Sequence, residues 1–176
     1  YYESTGSYGE GETIAVLDTE LDVTHPMFAP IDDKDVQFTE NDIAAFAGSD
    51  ELNADFDPEK VYVSSKLPFV YSYTNDDPYS VADENAYHGT HVSGIAAGNK
   101  TIDEAGREIS GVAPDAQIVF MDIFSYDEST DDYLADDATI AAAVEDAVKL
   151  NVSVINLSLG SDTESYQGSV LDEAFE

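Results

Sequence analysis

Gln117-Ile118-Val119-Phe120-Met121, then Ala138 to Leu150, then Ser153-Val154-Ile155-Asn156-Leu157 is the stretch that decides the fold. The two short apolar runs read as buried strands. Between them Ile140, Val144, Ala147 and Val148 recur at helical spacing, and Asp136 or Asp137 is placed to cap that helix. Strand, helix, strand within this length is a βαβ unit, which implies a parallel sheet. Working outward, Thr13-Ile14-Ala15-Val16-Leu17 follows the turn-like Gly9-Glu10-Gly11 and reads as another buried strand. His88 to Gly98 reads as a helix whose Gly94, Ala96 and Ala97 allow close packing. Asp32 to Asn85 is less regular, with a helix expected near Asn41–Ala47 and an aromatic strand over Pro68–Tyr73. The class is α/β. No repeat and no Gly/Ser or Pro linker divides the 176 residues, so 1–176 reads as one structural unit.

Composition narrows the function. Thirty-eight acidic residues against 6 basic ones give a formal net charge of −32. Nucleic acid and anionic lipid are bound by Lys and Arg that displace counterions, so neither is an expected partner. Three readings of the acidity stand open: a solvated surface, calcium binding, or life in salt. The absence of cysteine excludes disulfides, thiolate catalysis and Cys-ligated zinc. No apolar stretch reaches spanning length, so no membrane insertion is expected of this segment. Tyr1-Tyr2-Glu3-Ser4 lacks the basic start and apolar run of a signal peptide, which says little about secretion because a mature chain has lost its signal.

Functional groups in open parallel sheets gather at the carboxyl ends of the strands, and Asp18 is expected just past one. An apolar pair followed by Asp-Thr also opens the aspartic-protease motif. That motif needs a Gly after the Thr and a second copy, so that two carboxylates share a proton. Here Glu20 follows Thr19 and no second copy occurs. The other candidate is His88-Gly89-Thr90-His91-Val92-Ser93-Gly94. His88 and His91 are three apart on one helical face, whereas helical zinc hydrolases use a His pair four apart with a Glu between. Taken alone, the motif reads first as two buried, hydrogen-bonded histidines.

The motifs do not stand alone. Val16–Asp22 with Thr24-His25-Pro26 resembles the segment around the catalytic Asp of the subtilases, the subtilisin-like serine proteases. His88–Gly98 resembles the segment around their catalytic His, and Gly111-Val112-Ala113-Pro114 and Val154–Gly160 match their core. The long interval from 18 to 88 and the aromatic Pro68–Tyr73 strand look like the cell-envelope branch, the lactocepin-type proteinases and the streptococcal peptidases that cut complement anaphylatoxins.

The resemblance implies a three-layer subtilisin-like fold with a mostly parallel sheet, this chain being the N-terminal part of the catalytic domain. It implies a serine endopeptidase located outside the cell or on the cell envelope, acting on protein or peptide substrates. Asp18 orients His88 and stabilises its imidazolium, while His88 takes the proton of a Ser hydroxyl and returns it to the leaving amine. Ser158, Leu159 and Gly160 form a wall of the primary specificity pocket, along which a peptide adds as a strand. Core packing is the equal alternative for Leu159. His25, His91 and Asn156 match structural positions. No cofactor is required for the chemistry; structural calcium is common in the family, but no site for it is read here.

The family's Ser sits in Gly-Thr-Ser-Met-Ala and its oxyanion Asn in an Ala-Gly-Asn strand end beyond Gly160. Neither is in this sequence, since Ala97-Gly98-Asn99 is the tail of the His helix. These 176 residues alone are expected to be inert, to need the remaining C-terminal part of the domain as partner, and to be poorly stable because the sheet ends at an open edge. The alternative is a pseudoprotease or fragment that binds peptide or its complementary half. Asp127, Glu128, Asp131, Asp132, Asp136 and Asp137, before the Ala138 helix, are expected beside the substrate's N-terminal side and to favour basic residues there.

Overall fold

The computed structural model describes residues 6–32, 36–47, 51–79, 87–129 and 131–160. Its centre is a parallel sheet of β1 (Thr13–Asp18), β2 (Phe69–Ser72), β5 (Gln117–Asp122) and β8 (Val154–Leu157) in the order β2-β5-β1-β8. β5 is buried along its whole length, as a strand covered on both faces must be. The strands of the βαβ unit, β5 and β8, are parallel but not adjacent, because β1 lies between them. Asp18 is the last residue of β1, one position inside the expected end. β8 is hydrogen-bonded only to β1 among the described residues, and, unlike the buried strand expected, none of its residues is buried.

Alternating side chains feed two cores. Ala15, Leu17, Val119 and Met121 face one side and pack against α4 (Asp137–Lys149) and Ile43 of α1 (Glu40–Phe46). Val61 of the short α2 (Pro58–Val61) joins the same core. Val16, Ile118 and Phe120 face the other side and pack against α3 (His88–Ala97), with Met27 and Phe28 of a 3-10 turn. The result is the expected three layers, helix, sheet, helix. Asp136 caps α4 by accepting from the N–H groups of Ala138 and Thr139. Ile140, Val144 and Ala147 face the sheet as read from their spacing, but Val148 is exposed, and Ala143 and Leu150 complete the apolar arc.

The small residues of α3 do what their size allows. Gly89, Ser93 and Ala97 are buried against the sheet. At its far end Gly111 packs directly on the helix backbone, where a Cβ would stand 2.5 Å from the Gly98 nitrogen. Val112 and Ala113 then donate to the free carbonyls of Ile95 and Ala96, both at 2.9 Å, which satisfies the last turn.

Two antiparallel hairpins carry no clear periodic signal and are visible only in three dimensions. They are β3 (Thr101–Ile102) with β4 (Glu108–Ile109), and β6 (Ser125–Asp127) with β7 (Asp132–Leu134).

Candidate active site

β1 carries Asp18 to the carboxyl edge of the sheet, where its Cα is paired with Asp122 of β5, itself paired with Ser72 of β2. All three side chains are buried. Oδ1 of Asp18 accepts from the Thr19 N–H at 2.8 Å, from the Thr19 hydroxyl at 3.3 Å, and from Nδ1 of His88 at 2.6 Å. The Asp18 side chain is 2 % exposed and the His88 side chain 57 %. A buried carboxylate this close holds the proton on Nδ1, so the Nε2 lone pair of the neutral ring is turned to the open side. The pair can therefore accept a proton from a group arriving there, and the carboxylate stabilises the imidazolium that forms.

His88 reaches Asp18 because it opens α3 and the next residue is Gly89. A Cβ on Gly89 would lie 2.5 Å from the Glu20 carbonyl oxygen and 2.8 Å from the Phe120 ring. The helix start has no side-chain cap from Tyr87. Thr19 supplies one from the neighbouring strand end, its hydroxyl accepting from the Gly89 N–H at 3.3 Å. Thr90 Oγ1 in turn accepts from the Asp22 N–H at 2.8 Å. The Asp18–Asp22 segment and the first turn of α3 are thus one bonded unit.

The other candidates separate. His91 is not part of this pair; with His25, Met27, Thr90 and Ile95 it lines a separate groove of about 370 Å³. His25 Nδ1 accepts from the Met27 N–H at 3.3 Å and its ring packs on Phe28. Among the described residues no three His, Asp or Glu side chains converge as a metal site, so neither the zinc reading nor structural calcium gains a location.

β8 runs level with β1, Leu157 opposite Leu17, so Ser158-Leu159-Gly160 leaves the sheet at the height of Asp18. The Ser158 hydroxyl accepts from Asn156 Nδ2 at 2.9 Å. Leu159 packs against the α4-side core, in line with the packing alternative, and a Cβ on Gly160 would meet open space.

Of the acidic residues before α4, Asp136 is committed to the helix cap, Asp127 accepts from the Ser129 N–H and hydroxyl, and Asp131 accepts from the Tyr126 hydroxyl. Their charges remain around the hairpin, whose Tyr133 hydroxyl donates to Glu20 Oε1 at 3.3 Å.

The sequence reading missed Asp122. It lies inside an apolar strand, where an Asp has no local signal, and only the β1–β5 register brings it beside Asp18. Burial pushes its carboxyl up to about 6, against the lowering effect of the Ser72 hydroxyl and the Phe124 N–H, with Glu20 and Asp18 adding to the rise.

Comparison with known proteins agrees with this geometry. The subtilase family model, Peptidase_S8, matches residues 9–176. The PII-type proteinase of Lactococcus lactis subsp. cremoris is 35 % identical over 156 residues, which are 88 % of this chain and 8 % of that protein. The C5a peptidase of Streptococcus pyogenes serotype M3 is 30 % identical over 164 residues, 90 % of this chain and 13 % of that protein. The chain thus spans a small fraction of the length of these relatives, which bear out the resemblance to the cell-envelope branch. The solved structure of the Clostridium perfringens CspB protease superposes with a TM-score of 0.58 at 21 % identity, over 99 % of this chain and 35 % of that one. That of MycP1 superposes with a TM-score of 0.54 at 18 % identity, over 96 % and 38 %. At such identities they speak for the fold alone. With its parallel sheet, its paired Asp18 and His88, and a family match over nearly its whole length, the chain belongs to the subtilase family.

Proposed function

We propose that this chain is the Asp and His part of a serine endopeptidase domain, acting on protein or peptide substrates outside the cell or on its envelope. The observation that carries the reading is the 2.6 Å bond from exposed His88 to buried Asp18 at the carboxyl edge of the sheet. His88 Nε2 takes the proton of a serine hydroxyl as that oxygen attacks the scissile carbonyl, then gives it to the leaving amine. Water repeats the sequence on the acyl-enzyme. The serine and the oxyanion donor come from the C-terminal part of the domain, since the family's Gly-Thr-Ser-Met-Ala motif is not among these 176 residues. Without that part the chain is inert. The protein's own groups suffice for this chemistry, with no cofactor.

Ser158-Leu159-Gly160, level with Asp18, offers backbone groups to an extended substrate, and the open space at Gly160 suits close approach of a second backbone. The acidic β6–β7 hairpin favours basic residues on the substrate's N-terminal side. Equal cleavage of matched basic and acidic peptides at low salt would remove that preference.

The test of the function is labelling of the full-length protein by a fluorophosphonate. Labelling that disappears in His88→Ala is the expected result. A full-length protein that takes no label overturns this reading and favours the pseudoprotease alternative.

A further inference from the structure

We infer that Asp122 is a positioning residue for the Asp18–His88 pair, its carboxylate determining how tightly the His88 ring holds its proton. The inference rests on the reading of Asp18 and His88 as the catalytic pair. Asp122 and Asp18 are Cα partners in neighbouring parallel strands, so their side chains leave the sheet on the same face about 5 Å apart at the backbone. Both residues are 1 % exposed. Water screens little between them, and a charge on one is felt by the other and by the imidazole bonded to it.

The partners of Asp122 make it a charge that comes and goes. Its Oδ2 accepts from the Ser72 hydroxyl at 2.8 Å and from Asn75 Nδ2 at 3.3 Å, and its Oδ1 accepts from the Phe124 N–H at 3.2 Å. These donors are neutral. Among the described residues the titratable groups around the site are Asp18 from β1, Glu20 after it with Tyr133 from β7 on its carboxylate, and His88 from α3. β2 contributes neutral Ser72, and no lysine or arginine among the described residues is bonded to Asp122. Burial raises its pKa to about 6, inside the range where a histidine titrates.

The sign follows. Below that pH Asp122 is neutral and His88 has Asp18 as its main anion. As Asp122 ionises, a second buried negative charge favours the imidazolium, so His88 becomes a stronger base and stays protonated to higher pH.

The test reads protons on His88 without needing proteolysis. Diethyl pyrocarbonate acylates the neutral imidazole, and the half-exposed His88 is open to it. In the full-length protein the rate of His88 modification is followed from pH 5 to 8 by mass spectrometry of its peptide, with His25 and His91 as internal references. In Asp122→Asn the His88 midpoint is expected to fall by about one to two units, the size of a unit charge roughly 6–10 Å away at an effective dielectric of about 20. The midpoints of His25 and His91 stay in place. Ser72→Ala, which removes a donor that favours the ionised Asp122, is expected to move His88 the same way by less, and it carries the test if Asp122→Asn does not fold. A His88 midpoint that stays put or rises overturns the inference, as does an equal shift of all three histidines. A His88 shift in a protein that takes no fluorophosphonate label sustains the inference and overturns the function reading alone.

Discussion

Gly89 lies so close to Glu20 that a Cβ on it would stand 2.5 Å from the Glu20 carbonyl oxygen. Backbone cannot give way there as a side chain could. Gly89→Ala is therefore expected to lift the first turn of α3 from the end of β1, lengthening the His88–Asp18 bond. We expect a loss of about 1–3 kcal/mol of stability and a larger loss of activity. Fluorophosphonate labelling rates beside the urea midpoint check it, and unchanged labelling would show that α3 does not need this contact.

Asp18→Asn keeps the shape at the end of β1 but offers His88 an amide in place of a carboxylate. Nδ1 then no longer has an anion to hold its proton and stabilise the imidazolium. The kcat of the full-length protein on a peptide substrate is expected to fall by about 10³–10⁴ with little change in KM. A loss below tenfold would mean that Asp18 has no part in the chemistry.

Lys66 is fully buried and donates from Nζ to the carbonyls of Pro114 at 2.7 Å and Ala116 at 2.6 Å. Burial lowers its pKa to about 7, with Asp115 pulling the other way. The unfolded chain keeps this proton to about pH 10.4. Between these values the unfolded state binds more protons, so the Lys66 contribution makes stability rise with pH, by about 3–5 kcal/mol across the window. Below pH 7 both states carry the proton and the dependence vanishes. Lys66→Met should flatten the slope between pH 7 and 10 in denaturant titrations, and an identical slope in both proteins would refute the assignment.

Asp146 is the buried hub on the inner face of α4. Its carboxylate accepts from the N–H groups of Asn53 at 2.7 Å and Ala54 at 2.9 Å, from Asn53 Nδ2 at 3.0 Å, and from the Tyr73 hydroxyl at 2.9 Å. Desolvation first, then Asp146 itself, raises the Tyr73 pKa well above its ordinary value, so the phenol stays a donor at every working pH. Asp146→Ala takes this acceptor from the two N–H groups and the Tyr73 hydroxyl, while Asn53 Nδ2 keeps Ala142 and Glu145; it is expected to cost about 3–5 kcal/mol, with Asp146→Asn costing less. Urea denaturation of the two variants measures it, and a cost under about 1 kcal/mol for alanine would mean that water replaces the carboxylate.

The elements legible in the sequence are those with a strong local period or an apolar run bounded by turns. β1, β5 and β8 lie within a residue of their expected spans, and α3 and α4 do so as well. Val148 was misplaced because spacing alone does not say where the apolar arc ends. The two hairpins went unread, since strands of two or three exposed residues such as Thr101–Ile102 have no face to bury and so no pattern.

By itself the sequence determined the α/β class, the family resemblance and the candidacy of Asp18 and His88, because apolar periodicity and contiguous motifs are properties of neighbours along the chain. Tertiary structure brings His88 Nδ1 to 2.6 Å from Asp18, as the resemblance implied, and leaves His91 with His25 along a separate groove. It also placed β1 between β5 and β8, which set Asp122 beside Asp18 across 104 positions of sequence, the difference between 122 and 18. Strand order and register are set by long-range hydrogen bonding and by the two cores that the sheet must fill. No local pattern encodes which strand lies next to which.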